Sequence, residues 1–310
     1  MDNKPEILIT GAAGALAQQV ITRLRSQYRI VAVDFREQVY LGEDTSSYRI
    51  DIVKRDFEDI FRNHRIQGVI HLGRLMTSED NRMRRYNANV LGTQRLLDLC
   101  NKYKVGKVVI LSTFHVYGAN AYNPVPLNES APLKAGGLTM DLVDSVELEN
   151  LANIYLWKYP NLNIHILRPC NIVGPGVRNT MSTLLSGKYS PVLTGFSPMM
   201  QFIHIDDMAN AIELAFIKNH PGIYNVATDD WVAYQEALVA CGCIRVPLPS
   251  IPPVVPKLLS QVLGLRSFPP FLVNYFKYPV ILDTRLFTRT FGFQPKKTLH
   301  DIFHYYAEQK

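Results

Sequence analysis

The sequence predicts an α/β protein built on a doubly wound parallel β-sheet, with a smaller α/β domain toward its C-terminal end. Short apolar runs alternate with helical periods through the first half of the chain, which is the pattern of strand, crossover helix and parallel strand. A glycine-rich turn follows the first apolar run and leads into the first helix. The 310 residues are 47% apolar and 19% charged, so they can fill a hydrophobic core.

The predicted elements follow one another in a regular order. The strands are short apolar runs, and the helices carry apolar side chains at spacings of three and four residues. Pro160 ends the last predicted helix of the first half, because proline cannot continue a helix. We expect strands at 7–9, 30–33, 68–72, 107–111 and 164–167, and helices at 16–25, 82–102 and 142–157.

A change in composition divides the chain near Gly174. Beyond this point the sequence becomes richer in proline, tyrosine and phenylalanine. We therefore expect residues 1–174 to form one domain and residues 175–310 to form mainly a second, with some segments returning to the first. The stretch 247–278, rich in prolines and aromatic residues, has three interpretations: packing within the second domain, which we favour, a lid over the substrate, or an apolar surface for a partner or a membrane.

Charge and cysteine content exclude several classes of protein. The 33 basic and 27 acidic side chains give a net charge of +6, but the basic residues are scattered, so no nucleic-acid partner is expected. The apolar stretch 251–282 is interrupted by prolines and charges and cannot span a membrane, and the run 7–9 is too short for a signal peptide. The four cysteines form no C-x-x-C pair, so we expect them to be reduced core thiols. They are Cys100, Cys170, Cys241 and Cys243. We also expect no metal site and a cytoplasmic protein.

The segment after the first strand carries the clearest functional pattern. Gly11 permits a tight turn, and Gly14 lets the backbone approach a pyrophosphate group closely. The helix that begins near Ala15 and Leu16 directs its positive dipole end toward the same place. The third small position of the pattern is Ala17, where glycine is usual. A strand, a turn and a helix in this order predict a Rossmann dinucleotide-binding site.

The second predicted strand ends on a carboxylate. Asp34 lies about 20 residues beyond the glycine turn, where an acidic side chain accepts hydrogen bonds from both ribose hydroxyls and repels a 2′-phosphate. The cofactor is therefore predicted to be NAD and not NADP. Arg36, two positions further on, is the residue that leaves NADP open as an alternative.

Taken in order, these and later motifs resemble the extended short-chain dehydrogenases/reductases of the NAD-dependent epimerase/dehydratase kind. Eight segments match that family's pattern in sequence order, and together they extend along nearly the whole chain. They are Thr10 to Gly14, Asp51 and Ile52, His71 to Gly73, Asn89 to Thr93, Ser112 to Gly118, Arg168 to Pro175, Phe202 to Asp207, and Gly222 to Val226.

The resemblance implies a set of site residues. Thr113 matches a side chain that hydrogen-bonds the substrate oxygen, and Asn171 matches one that contacts the substrate. It also implies hydride transfer at a substrate carbinol, a nucleotide sugar or another acidic compound as substrate, and a homodimer formed by the helices at 82–102 and 142–157. The positions implied to contact NAD are Gly11, Gly14, Ala15, Leu16, Asp34, Asp51, Ile52, Leu72, Gly73, Arg74, Asn89, Leu111 and Pro169.

The chain departs from the family at its catalytic pair. By counting from Glu149 and Arg168, the tyrosine position falls on Asp141 and the lysine position on Ser145. The strings Tyr103 to Lys107 and Tyr306 to Lys310 have the same spacing but lie away from the site. Asp141 can serve as a base if it is ionised, and Tyr117 or His115 can assist.

A second departure concerns the substrate. Met200 stands where nucleotide-sugar enzymes of the family carry an arginine for the diphosphate, so Arg74, Arg178 or Lys188 would have to compensate. Two hypotheses therefore remain. One is an oxidoreductase-type enzyme with Thr113 orienting the substrate and Asp141 or water handling the proton. The other is an NAD-binding protein that has lost catalysis and works as a sensor or scaffold.

Overall fold

The predicted parallel sheet is confirmed and has seven strands. The computed structural model describes residues 4–39, 42, 45–75, 82–139, 142–249 and 270–310. The strand order is β11-β6-β5-β4-β1-β2-β3, and every neighbouring pair in this sheet is parallel. The seven strands are β1 (Glu6–Thr10), β2 (Arg29–Asp34), β3 (Thr45–Arg49), β4 (Ile66–His71), β5 (Lys107–Leu111), β6 (Ile164–Pro169) and β11 (Gly222–Val226).

Two strands of this sheet were not among those expected from apolar runs. Strand β3 reads Thr-Ser-Ser-Tyr-Arg and lies at the edge of the sheet, where its side chains are half-buried or exposed. An edge position demands little burial, so no apolar run marks it. Strand β11 forms the opposite edge by pairing with β6. The chain therefore returns to the first sheet well after Gly174.

Helices cover both faces of the sheet. The helix expected at 82–102 is one continuous helical segment that contains a π-helical turn at Asn87–Leu91 between α3 and α4. Within the described residues the α-helices are α1 (Ala15–Leu24), α2 (Phe57–Asn63), α3 (Arg82–Tyr86), α4 (Gly92–Lys102), α5 (Ala135–Leu138), α6 (Val143–Lys158), α7 (Thr180–Ser186), α8 (Ile205–Ile217), α9 (Tyr234–Ala240), α10 (Arg285–Phe291) and α11 (Leu299–Ala307).

Two hydrophobic layers hold the helices on the sheet. Ile7 and Ile9 of β1 face one layer and Leu8 faces the other, because successive strand side chains point to opposite faces. Helix α8 packs beside α1 in the first layer, and α2, α4 and α6 contribute to the second. All four cysteines are buried free thiols, as expected.

Short strands build the smaller part of the molecule. They form three two-stranded units, of which β7/β10 and β8/β13 are parallel and β9/β12 is antiparallel. Residues 250–269 of the proline- and aromatic-rich stretch lie outside the described residues, and no helix elsewhere in the described chain has the length and apolar character needed to cross a membrane. The strands are β7 (Asn171–Val173), β8 (Tyr189–Leu193), β9 (Met199–Met200), β10 (Phe202–His204), β12 (Val232–Ala233) and β13 (Ile244–Leu248).

Candidate functional site

The candidate site lies along the carboxyl ends of the parallel strands. From β1 the chain passes to β2 and β3 on one side of the sheet and then to β4, β5 and β6 on the other. The order reverses between β1 and β4, and open α/β sheets bind ligands in the crevice at such a switch point. Most of the residues implicated by sequence follow directly on these strands.

The glycine turn after β1 is tightly packed. Gly11 has a φ of +71°, and a Cβ atom there would lie 2.7 Å from the backbone Cα of Gly73. Only glycine therefore fits at position 11 without moving the end of β4. The Gly14 backbone N–H donates to the Gly11 carbonyl oxygen at 2.9 Å and closes the turn.

Helix α1 presents an open N-terminus beside this turn. Gly14 is the N-cap residue and supplies no side chain to the first backbone N–H groups, and the first turn, which begins at Ala15 and Leu16, has no acidic side chain. The chain after β7 crosses over the same place, since a Cβ atom on Gly176 would lie 3.2 Å from the Cβ atom of Ala15. Free N–H groups and a positive dipole end suit an anionic group such as a phosphate.

Asp34 is held at the end of β2 by hydrogen bonds. Its Oδ2 atom accepts from the Ala13 backbone N–H at 3.1 Å, and its Oδ1 atom accepts from the Arg36 backbone N–H at 2.9 Å. The Arg36 guanidinium also donates to both carboxylate oxygens. Burial opposes ionisation, but these hydrogen bonds outweigh it and keep the pKa of Asp34 below its ordinary value.

The pair Asp51 and Ile52 lies next to this carboxylate. The Ile50 backbone N–H donates to the Asp34 carbonyl oxygen at 3.0 Å, which brings the segment after β3 to the end of β2. Asp51 accepts from the Val53 backbone N–H at 3.2 Å, and Ile52 packs against the second hydrophobic layer. The structure therefore brings the glycine turn, Asp34 and this pair together.

The segment after β4 forms the opposite wall. The Leu72 backbone N–H donates to the Thr10 carbonyl oxygen at 3.3 Å, and Gly73 lies against Gly11. Asn89, in the π-helical turn, accepts from the Leu75 backbone N–H at 2.8 Å and donates to the Leu75 carbonyl oxygen at 3.1 Å. Because Asn89 is buried and its amide is used in this way, it acts by holding the wall that carries Arg74.

Thr113 lies two residues beyond the end of β5, which closes on Leu111. The half-buried Thr113 caps a 3₁₀ turn at Phe114–Tyr117, and its Oγ1 atom is 2.8 Å from Nδ1 of His115. Burial, followed by the positive charge of Arg74, lowers the pKa of His115 to about 3. His115 is therefore a neutral hydrogen-bonding partner of Thr113 near pH 7.

The described end of the proline- and aromatic-rich stretch reaches this pair. Phe271 and Tyr275 lie in the 3₁₀ helix Pro270–Phe276, and both rings contact the His115 imidazole. The Tyr275 hydroxyl donates to the His115 carbonyl oxygen at 2.5 Å. This part of the stretch therefore borders the site, whereas 250–269 lie outside the described residues.

A buried network of hydrogen bonds and an ion pair links α6 to the ends of β5 and β6. Glu149 of α6 accepts hydrogen bonds from Ser112 and forms an ion pair with Arg168 of β6. Arg168 donates to the Tyr117 hydroxyl at 2.6 Å, and that hydroxyl donates to the Asn225 side chain at 2.7 Å. Burial raises the pKa of Tyr117 to about 12, which disfavours Tyr117 as a proton acceptor.

At the position implied for a catalytic lysine, the structure has a serine in contact with an arginine. Ser145 is buried on α6, and its hydroxyl oxygen accepts from Nη2 of Arg74 at 2.5 Å. Arg74 belongs to the segment after β4, 71 residues earlier in the chain. Asp141, at the position implied for the tyrosine, lies outside the described residues.

The end of β6 and the chain after it form a further border of the candidate site. Pro169 is buried at the strand end, and the Asn171 side chain donates to the Gln201 carbonyl oxygen at 2.9 Å. Met200 is buried, whereas Arg178 and Lys188 are exposed. Of the three residues suggested to compensate for the arginine that Met200 replaces, Arg74 is the one that lies at the strand ends.

Sequence reasoning missed how Arg74 and Ser145 are related. The resemblance implied that Arg74 contacts the cofactor or compensates for the missing diphosphate arginine, and that Ser145 replaces a lysine. No spacing in the sequence relates the two residues. A second arginine was also missed: Arg85 lies 3.4 Å from Asp144, whose other oxygen accepts from Asn89. An arginine directly after the His71 to Gly73 motif was the available clue.

Comparison with known proteins gives matches over most of the chain. The model of the NAD dependent epimerase/dehydratase family matches residues 7–227. An uncharacterized protein of Mycobacterium tuberculosis is 25% identical over 307 residues, which cover 96% of this chain and 82% of the relative. The UDP-glucose 4-epimerase of Bacillus subtilis is 28% identical over 275 residues, which cover 76% of this chain and 80% of the relative.

Solved structures show the same fold. MoeE5, determined in complex with UDP-glucose and NAD, superposes with a TM-score of 0.78 at 23% identity and covers 98% of both chains. The UDP-glucose 4-epimerase of Thermotoga maritima, determined with UDP-glucose, has a TM-score of 0.77 at 21% identity and also covers 98% of both chains.

Proposed function

This chain belongs to the NAD dependent epimerase/dehydratase family, and from that premise we propose that it oxidises a carbinol of a nucleotide-sugar substrate by hydride transfer to NAD. The cofactor is NAD, because the family is NAD dependent. We assign NAD to residues 1–174 and the substrate mainly to residues 175–310. The observation that carries the proposal is the buried Asp34 carboxylate beside a glycine turn that tolerates no side chain.

The residues present fit a dinucleotide. Gly11, Gly14, Ala15 and Leu16 supply the close backbone approach and the helix N-terminus for its phosphates, and Asp34 supplies the acceptor for its ribose. Asp51, Ile52, Leu72, Gly73, Leu111 and Pro169 line the same strand ends. When bound, NAD supplies the hydride acceptor of the reaction. Arg36 would have to release Asp34 in part, since its guanidinium now occupies both oxygens.

Thr113 and Asn171 are the proposed substrate contacts. The Thr113 hydroxyl is oriented by His115 and lies at the end of β5, where it can hydrogen-bond the reacting oxygen. We propose Asp141 as the acceptor of the hydroxyl proton, on the sequence argument alone. A nucleotide sugar is supported by the relatives, because both UDP-glucose 4-epimerases are named for such a substrate.

The proposal is tested first by binding and then by turnover. Calorimetric titration with NAD should show binding that the Asp34→Ala variant loses. UDP-glucose, UDP-glucuronic acid and dTDP-glucose should then be tested separately, with NADH absorbance and product analysis by NMR as readouts. Reduction of bound NAD or a changed sugar would support the enzyme, and absence of NAD binding would overturn the proposal.

A catalytically silent NAD-binding protein is the second candidate. The observation that favours it is the serine at position 145, whose hydroxyl is already engaged by Arg74. Tight NAD binding without any change in these sugars would favour a sensor or scaffold. The double variant Asp141→Tyr/Ser145→Lys then becomes informative, because new turnover would attribute the silence to the missing pair.

We also propose that two copies of the chain pair through the helices at 82–102 and 142–157. Apolar side chains on these helices are exposed in the single chain, and they include Met83, Leu91, Ile154 and Trp157. Light scattering should give the mass of a dimer, and the Ile154→Glu/Trp157→Glu variant should give that of a monomer. A monomeric wild-type protein would contradict the pairing.

A cytoplasmic location is a further part of the proposal. It is supported by the four cysteines, all of which are buried free thiols. Unpaired cysteines are usual where the compartment is reducing. Imaging of the tagged full chain in its own cell would test it, and accumulation outside the cytoplasm would contradict it.

A further inference from the structure

Arg74 forms no ion pair with a carboxylate among the described residues. Its side chain makes a hydrogen bond to Ser145, and its Nε atom is buried with no hydrogen-bond partner among the described residues. Burial lowers the pKa of Arg74 from its ordinary value, although the negative charges of Asp144 and Glu149 act to raise it. A guanidinium nevertheless stays protonated near neutral pH. A guanidinium nitrogen that is buried without a hydrogen bond is costly, so its position calls for a reason.

Buried charged groups surround the half-buried Arg74. They are Asp144 and Glu149 of α6 and Arg85 of α3. Glu149 is paired with Arg168, and Asp144 lies 3.4 Å from Arg85 and accepts from Asn89. Among the described residues, Arg85 and Arg168 each lie beside one of these carboxylates, and Arg74 forms no such ion pair. The neighbouring histidines add no positive charge near pH 7, because the pKa values of His71 and His115 are lowered to about 4 and about 3.

The topology places this charge in one half of the dinucleotide site. The phosphate turn follows β1, and Asp34, the ribose acceptor, follows β2 on one side. The remaining half of a dinucleotide must extend to the other side, over β4 and β5. Arg74 follows β4, and Thr113 follows β5. The Arg74 guanidinium therefore lies in the half that receives the nicotinamide.

We propose that Arg74 makes this site bind NADH more tightly than NAD⁺, and so draws the hydride toward the cofactor. The inference rests on the proposed function, and it concerns the charge of the ring. The nicotinamide ring is positive in NAD⁺ and becomes neutral when it gains a hydride. A fixed positive charge nearby disfavours the first form relative to the second. The arginine cannot be titrated away near neutral pH, so the preference persists across that range.

The ratio of two dissociation constants tests the inference without a substrate. Calorimetry gives the Kd for NAD⁺, and the change in NADH fluorescence gives the Kd for NADH. Both molecules share the adenosine and the pyrophosphate, so the ratio cancels their contributions. The ratio is the Kd for NAD⁺ divided by the Kd for NADH, and we expect it to exceed one in the wild-type protein. The Arg74→Gln variant should lower this ratio about tenfold, which corresponds to about 30 mV in the two-electron potential of the bound cofactor.

Three further variants separate charge from structure. Arg74→Lys keeps the charge and should leave the ratio within about twofold of wild type. Ser145→Asp places a carboxylate beside Nη2 of Arg74 and should lower the ratio as Arg74→Gln does. It therefore tests the charge independently should the Arg74→Gln protein fail to fold. Arg62→Gln removes an exposed cation from α2 and should leave the ratio unchanged.

The outcomes distinguish this inference from the proposed function. Equal affinity for the two forms in the wild type, or an unchanged ratio in both Arg74→Gln and Ser145→Asp, would overturn the inference and leave NAD binding intact. Failure of the wild-type protein to bind either form would overturn the proposed function, and the inference with it.

Discussion

The two halves of the candidate site differ in how closely they keep a known pattern. On the side of β1 to β3, the glycine turn and Asp34 stand at the expected positions, and the carboxylate already has four donors around it. On the side of β4 to β6, the lysine position is Ser145, and a cation from another element, Arg74, occupies its surroundings. We therefore propose that separate side chains carry cofactor affinity and chemistry, so that one can change while the other persists.

The largest expected effect comes from breaking the Arg168–Glu149 ion pair, which lies on the side of β4 to β6. Arg168→Met leaves the buried Glu149 carboxylate without its partner, and we expect a loss of about 3–5 kcal/mol in the free energy of unfolding. Chemical denaturation followed by circular dichroism measures it. The double variant Arg168→Met/Glu149→Leu should recover part of the loss, because no unpaired charge remains. A single variant as stable as wild type would show that the pair does not support the strand ends.

The second-largest expected effect tests the side of β1 to β3, where we place the adenosine of NAD. Gly11→Val places a branched side chain at a φ of +71° and within 2.7 Å of the Gly73 backbone, so both the turn and the wall must move. We expect NAD affinity to fall by roughly a hundredfold, or about 2.7 kcal/mol. Gly106→Ala is the matched control, since a Cβ there meets only ordinary contact at 3.6 Å. NAD binding equal to wild type in Gly11→Val would remove the glycine turn from the site.

A pH experiment separates the halves by their titrating groups. His71 and His165, on β4 and β6, are buried, and burial lowers the pKa of each from 6.5 to about 4. The unfolded chain therefore binds more protons below pH 6.5, so stability falls as the pH drops from 6.5 toward 4, by about 2 kcal/mol per histidine at pH 5. The pKa of Asp34 is lowered instead, so its stabilising contribution is lost only at more acidic pH.

His165 gives this experiment a matched pair of variants. Neither ring nitrogen of His165 has a side-chain or backbone partner among the described residues, so His165→Met should be more stable near pH 7 and should remove its share of the pH dependence. Exposed His300→Gln should leave the curve unchanged. Denaturation midpoints measured from pH 7 to pH 5 test this, and a flat wild-type curve would contradict the histidine argument.

The smallest expected effect concerns Arg36. Its guanidinium is bound to the Asp34 carboxylate but is half exposed, so it competes only weakly with a ribose. Arg36→Met should raise NAD affinity about twofold and weaken any NADP binding by more, because a 2′-phosphate loses its cation. Titration with both cofactors measures the change. Tighter NADP than NAD binding in the wild type would mean that Arg36, and not Asp34, sets the cofactor preference.

The fold was predicted from the sequence, and the glycine turn and Asp34 lie together at the strand ends as the pattern indicates, because both features depend on local patterns. Apolar runs mark the buried strands, and the glycine turn and Asp34 are separated by a spacing that a strand, a helix and a strand impose. Edge strand β3 was missed because it buries little and reads as polar. The contact between Arg74 and Ser145 was missed for a different reason. It joins side chains 71 residues apart, and no periodicity relates them.

The π-helical turn at Asn87–Leu91 has a consequence for how this wall can change over evolution. A π-helical turn accommodates one more residue than the α-helix around it, and such turns cluster at functional sites. Loss of a single codon within this turn would restore a regular helix but rotate the residues on one side of it by about 100° relative to those on the other. Asn89 would then be displaced from Leu75 or from Asp144. Insertions and deletions in this stretch should therefore be under stronger selection than substitutions on the exposed face of α4.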